Sequence, residues 1–129
     1  PAGQRAALVG IGNLGRALLT YFHGRRPKLS IVAAFDVDAA KTDRVICGCR
    51  CYTMDKLAEV VVAEKITVGI LTVPASEAQH VAAELEAAGV SGLLNFAPQP
   101  LRVGPHTYAE DLDMTMTLER VAYFARRNR

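Results

Sequence analysis

Apolar residues fall along this chain in short continuous runs that alternate with longer stretches of helical spacing. Residues 6–11 form the first run, the pattern of a strand buried on both faces. From Asn13 the period changes. Leu14, Leu18 and either Tyr21 or Phe22 share one face of a predicted helix over 13–22, which His23-Gly24 ends before the polar connection Arg25-Arg26-Pro27-Lys28. Residues 29–35 predict a second buried strand that stops at Asp36. Residues 37–44 read as a loop with a helical turn, and 49–52 as a short third strand. Asp55 is placed to cap a helix over 56–65 whose apolar side is Leu57, Val60, Val61 and Val62. A fourth strand over 67–73 is stopped by Pro74. Ser76 then opens a helix over 77–88, which Gly89 closes. Strands over 91–96 and 107–109 and an amphipathic helix over 114–126 complete the chain.

Strands alternating with helices imply parallel pairing through right-handed crossovers, so the expected fold is α/β, a doubly wound parallel sheet of the Rossmann type. The expected division is a dinucleotide-binding domain over 1–112 and a dimerisation helix over 113–129.

The first strand runs straight into Gly10-Ile11-Gly12-Asn13-Leu14-Gly15, with the spacing G-x-G-x-x-G. In a nucleotide-binding turn the first glycine permits the tight bend and the second lets a pyrophosphate approach the backbone. The third brings helix and strand together, and the helix start offers N–H groups to phosphate. Alone the motif is weak, because glycines also serve ordinary turns. Here it has a strand before it, a helix after it, and Asp36 about 20 residues beyond. A carboxylate at that place accepts hydrogen bonds from both adenine-ribose hydroxyls and repels a 2′-phosphate, which favours NAD(H) over NADP(H). Ligands in such sheets lie across the carboxyl ends of the strands. Thr72, Val73 and Pro74, and Asn95, Phe96, Ala97 and Pro98 therefore fall near the nicotinamide half; their plain alternative is strand termination and packing.

Composition narrows the class further. A chain of 129 residues with net charge +2 holds one core and carries no charge signature of nucleic-acid binding. No apolar run approaches the roughly 18 residues of a membrane span. The start PAGQRAALVG lacks the layout of a signal peptide, so a cytoplasmic protein without a membrane partner is expected. Cys47, Cys49 and Cys51 alternate, as if on one face of a strand, and read as buried thiols rather than a metal site, since no fourth ligand lies near in sequence. His23, His80 and His106 pair with no nearby nucleophile or carboxylate. A nicotinamide dehydrogenase needs a substrate lobe and an acid–base group. Neither is evident, so the expectation is a cofactor-binding sensor or a severed fragment, and not an enzyme in itself.

Five segments taken together are more specific than the glycine motif. LVGIGNLGRALLTYF, IVAAFDVD, GILTVPASEAQ, GLLNFAP and LDMTMTLERVAYF resemble, in order and over nearly the whole chain, the Rex family of bacterial redox-sensing transcriptional repressors. The resemblance implies the C-terminal Rossmann domain of a homodimer that senses NADH against NAD+. It also implies an N-terminal winged-helix domain, absent from this chain, that binds operator DNA until NADH releases it. Carried across, Gly10, Ile11, Gly12, Asn13, Leu14 and Gly15 hold the pyrophosphate, Asp36 the adenine ribose, and Val37 sits beside the adenine. Thr72, Val73 and Pro74 line the centre of the cofactor, with Asn95, Phe96 and Ala97 on its nicotinamide side. The last helix is exchanged between subunits in the family, so that Asp113 and Met114 approach the partner's nicotinamide and Asp113 reaches the partner's Tyr21. The seam Met114, Leu118, Val121 and Ala125, widened by Met116, Ala122 and Phe124, needs burial against this chain's own sheet or a second subunit, and the resemblance favours the second. Two other readings stay open: a CoA-binding module like those of acyl-CoA ligases, against which Asp36 speaks, and the cofactor domain of an NAD-dependent dehydrogenase.

Overall fold

The computed structural model describes residues 3–24 and 28–128, and in it the expected alternation closes into one seven-stranded sheet. The strands are β1 (Gln4–Val9), β2 (Leu29–Asp36), β3 (Arg44–Ile46), β4 (Cys49–Thr53), β5 (Val68–Leu71), β6 (Gly92–Asn95) and β7 (Tyr108–Asp111). Four helices accompany them: α1 (Asn13–Phe22), α2 (Leu57–Ala63), α3 (Ala75–Ala87) and α4 (Met114–Arg127). The spatial order is β3-β4-β2-β1-β5-β6-β7, and every neighbouring pair is parallel except β3 with β4. The chain builds outward from β1 through β2 and β4, then returns to β5 and continues the other way to β7. That reversal between β1 and β5 leaves a crevice at their carboxyl ends, as the doubly wound reading requires. The connection expected at Arg25, Arg26 and Pro27 lies outside the described residues.

Alternation along β1 explains its central place. Ala7 and Val9 join Phe35, Leu71, Leu57, Val61, Val81 and Leu85 on the α2 and α3 side. Ala6 and Leu8 face the other way, with Ile11, Leu19, Ala34, Ile70, Cys49 and Cys51 on the α1 side. On that second side Val68, Leu94 and Phe96 are only half-buried. The last helix does not fill the gap, since every described residue of α4 is exposed. Its apolar seam is therefore not packed on this chain's own sheet.

Three expectations are corrected. Residues 44–46, of which the loop expected over 37–44 takes in Arg44 and no expected strand takes in any, form β3, an antiparallel partner of β4 in which Ile46 pairs with Cys49. The two-residue turn between them holds Cys47 at φ 50° and Gly48 at φ 75°, both left-handed, as a hairpin turn matched to strand twist demands. Cys47 thus sits in the turn, and only Cys49 and Cys51 share the buried strand face. Asp55 does not cap α2. It lies in the 3-10 turn Met54–Lys56, where its carboxylate accepts the Thr53 hydroxyl, and α2 begins without a side-chain cap. Gly89, at φ +107°, does follow the end of α3 as expected.

Candidate nucleotide-binding site

The crevice takes its shape from what each glycine of the first turn excludes. Gly10 has φ +110°, and a Cβ there would lie 2.3 Å from the Thr72 carbonyl oxygen, so only glycine lets β1 turn against the end of β5. The Thr72 hydroxyl locks this approach by donating to the Gly10 carbonyl (2.7 Å) and, less closely, the Val9 carbonyl (3.1 Å). A Cβ on Gly15 would meet the Gly10 carbonyl oxygen at 1.9 Å, which is why α1 can lie this close to β1. Gly12 is different: a Cβ there would find nothing within 4 Å. No protein packing requires the missing side chain at that position. It opens the backbone toward the crevice instead, and no side chain caps the α1 N-terminus beside it. An uncapped helix start behind an open glycine suits a diphosphate.

Asp36 faces this turn from the end of β2. Its side chain is almost buried, 9% exposed, and each carboxylate oxygen already holds one amide. The Ile11 N–H donates to Oδ2 at 2.7 Å and the Asp38 N–H to Oδ1 at 2.8 Å. These bonds fix the carboxylate between the glycine turn and the loop after β2, while each oxygen keeps acceptor capacity for a hydroxyl. Gly10, Gly12, Asp36, Val37, Thr72, Val73 and Pro74 line one cleft of about 490 Å³. That volume falls in the range of small-molecule and cofactor sites, about 300–1,000 Å³.

The structure adds Asp38, Lys41, Met54, Glu77 and Val81 to the lining. Lys41 belongs to the 3-10 turn Ala39–Lys41, whose start Asp38 caps through the Ala40 N–H (3.0 Å). That turn is the helical turn expected within the loop over 37–44, though nothing in the sequence aims Lys41 at the cleft. Met54 and Val81 look like core positions in the sequence and carry no further signal.

The remaining sequence candidates sit elsewhere. Ile11 is fully buried and contributes its amide to Asp36; Asn13 and Leu14 form the first turn of α1, exposed and half-buried. Asn95 ends β6 and Phe96 and Ala97 follow it, all three outside the cleft lining. Met114 and Tyr21 are exposed at 51% and 57%. Asp113 caps α4, its Oδ1 accepting the Met116 N–H at 2.9 Å. Among the described residues no histidine lines the cleft, and no three His, Cys, Asp or Glu side chains gather as a metal set. Burial pushes the Cys49 thiol up to about 12 and raises Cys51 as well, which keeps both protonated.

The family model described as CoA binding domain matches residues 3–99. The chain is 38% identical over 118 residues to the redox-sensing transcriptional repressor Rex of Leuconostoc citreum, covering 92% of this chain and 55% of that protein. It is 40% identical over 119 residues to Rex of Rhodopirellula baltica, covering 92% and 50%. The chain thus spans about half the length of the curated relatives it matches, and the resemblance read from the five sequence segments is borne out. Among solved structures, RSP, a Rex-family repressor, superposes with TM-score 0.89 at 25% identity, over 98% of this chain and 60% of RSP. RSP has been solved in complex with NAD+ and operator DNA (TM-score 0.91) and in complex with NADH (0.89).

Proposed function

This chain belongs to the CoA binding domain family, and we propose that it is the NADH/NAD+-sensing and dimerisation domain of a redox-responsive transcriptional repressor. The carrying observation is Asp36, a nearly buried carboxylate held by two amides at the rim of a glycine-turn cleft. Gly10, Gly12 and Gly15, with the start of α1, hold the diphosphate, Asp36 the adenine ribose and Val37 the adenine. Thr72, Val73 and Pro74 line the middle, and Asn95, Phe96, Ala97 and the partner's Met114 the nicotinamide end. The protein catalyses no reaction in this reading. The nicotinamide supplies a ring whose charge and planarity change with redox state, and a ligand shifts a conformational equilibrium only through such differential contacts.

Two unpartnered surfaces support a homodimer. α4 presents Leu118, Val121 and Phe124 to solvent at 69%, 60% and 52%, while Val68, Leu94 and Phe96 stay half-covered on the α1 side of the sheet. Exchange of α4 between subunits covers both and carries Asp113 toward the partner's Tyr21. Residues 1–112 then form the cofactor domain and 113–129 the exchanged helix. In the full-length repressor, in the cytoplasm, NADH binding releases operator DNA. Among the described residues no helix is long and apolar enough to cross a membrane.

The test is a titration of the purified chain with NADH, following its fluorescence, and competition by NAD+, NADPH and CoA. NADH is expected to saturate one site per chain, with NAD+ competing more weakly and CoA not competing. Binding of CoA without NADH would overturn the reading.

A further inference from the structure

Asn95 ends β6 with its side chain wholly buried, both amide N–H groups donated and its Oδ1 holding one backbone amide. Its Oδ1 accepts the Ala97 N–H at 3.0 Å, and its Nδ2 donates to the Gln99 carbonyl and to Asp111 Oδ1, both at 2.8 Å. Its own carbonyl accepts the Leu112 N–H at 2.8 Å. One amide therefore grips two separate pieces of chain. The first is the turn over 96–99, on the side where the proposed function puts the nicotinamide. The second is the end of β7, two residues before Asp113 caps α4. A buried primary amide shared this way is rigid, because any tilt of one partner strains or breaks the bonds to the other.

We propose that Asn95 is a positioning residue which, through its bond to the exposed carboxylate of Asp111, couples the turn over 96–99 to the root of α4. The coupling rests on the cofactor reading above. Movement of the turn when the ring end of the cofactor changes is passed through the Asn95 amide to Asp111, and so to the segment from which α4 starts. The sensing end and the dimerisation helix then share one hydrogen-bonded joint, with no contact required between Asp111 and the cofactor.

Asp111 is exposed, so Asp111→Ala removes the joint without emptying the core. The unaltered chain, Asp111→Ala and the conservative Asp111→Asn are each titrated with NADH, and amide hydrogen exchange over residues 112–118 is measured with and without NADH. In the unaltered chain NADH is expected to change exchange over 112–118 by at least fivefold. Asp111→Ala is expected to bind NADH within threefold of the unaltered chain yet lose that change, and Asp111→Asn, which keeps an acceptor oxygen, to restore it. A full exchange response in Asp111→Ala, or none in the unaltered chain despite NADH binding, overturns the coupling and leaves the cofactor reading intact. Absence of NADH binding by the unaltered chain overturns both.

Discussion

Replacing Gly12 and Gly15 by alanine separates what the glycine turn does for a ligand from what it does for the fold. At Gly12 the backbone is extended, φ −91° and ψ −160°, which alanine adopts freely, and its Cβ would touch nothing within 4 Å. Alanine caps a helix less well than glycine, a loss of up to about 1 kcal/mol. The smaller entropy of the unfolded chain returns about 0.4–1 kcal/mol. Gly12→Ala is therefore expected to leave stability within about 1 kcal/mol, a melting shift of about 4 °C or less. The methyl stands where a diphosphate meets the backbone, and binding of NADH is expected to weaken at least tenfold, about 1.4 kcal/mol. Gly15→Ala reverses the balance. Its Cβ at 1.9 Å from the Gly10 carbonyl falls far short of the 3.0 Å that real contacts keep. α1 must lift off β1, and overpacking of this kind costs about 1–3 kcal/mol or more. A melting temperature lowered by about 4–12 °C follows, before any ligand is added. Circular-dichroism melts and NADH fluorescence titrations measure both quantities on the same samples. The reasoning is refuted if Gly12→Ala melts as low as Gly15→Ala, or if it keeps NADH affinity within twofold.

Other consequences are as direct. Asp36→Ser removes a nearly buried acceptor of the Ile11 and Asp38 amides, and is expected to cost roughly 2–4 kcal/mol in urea unfolding. The same variant is expected to move the NADPH-to-NADH affinity ratio at least tenfold toward NADPH; an unmoved ratio would show that Asp36 does not face the ribose. Native-state labelling with iodoacetamide at pH 8 is expected to modify Cys47 alone, because burial holds Cys49 near 12 and raises Cys51. Since the Cys49 thiol ionises more readily unfolded than folded, its contribution to stability is complete below pH 9 and declines as pH rises toward 12, which alkaline melts of the chain and of Cys49→Ala will compare. Leu118→Glu, at a position 69% exposed, is expected to shift sedimentation from dimer to monomer, while melts of the two monomers at dilution stay within about 0.5 kcal/mol. A dimer that survives the charge would exclude α4 as its interface.

What the sequence disclosed and what it hid follow from the kind of signal each feature leaves. The buried strands were legible because both faces of a parallel sheet demand apolar side chains, so 6–11, 29–35 and 91–96 stand out as runs. β3 left no such trace. Arg44-Val45-Ile46 is short, lies at the edge, and turns back through Cys47-Gly48 instead of the Asn-Gly or Asp-Gly that announces a hairpin. Asp55 looked like a cap because a carboxylate before an apolar helical stretch usually is one; here Thr53 claims it and a 3-10 turn intervenes. Within the site, Gly10, Gly12, Gly15 and Asp36 were readable because turn geometry and ribose chemistry prescribe those residue types. Lys41 and Glu77 were not, since their place in the cleft depends on how the 3-10 turn and α3 are set down. The double engagement of Asn95 was equally hidden, because nothing local to it names Asp111 as a partner.

The cleft also explains how one fold carries a CoA family name alongside Rex relatives. A glycine turn and an uncapped helix start serve the diphosphate of any adenosine nucleotide, so that part of the site does not discriminate. Discrimination lies at the sugar, where NAD(H) presents two free hydroxyls and CoA presents a 3′-phosphate. In the proposed reading the hydroxyls donate to Asp36, whose two oxygens each hold one amide and keep acceptor capacity. A phosphate can only oppose it: two like charges at about 5 Å and an effective dielectric of about 20 repel by about 3 kcal/mol, and the phosphate carries more than one charge. Lys41, in the same cleft, offsets part of that repulsion but supplies no acceptor for a hydroxyl. In the proposed reading, Asp36, with Asp38 and Glu77 beside it against the single lysine Lys41, turns a general nucleotide cradle into a site for a ribose without a phosphate.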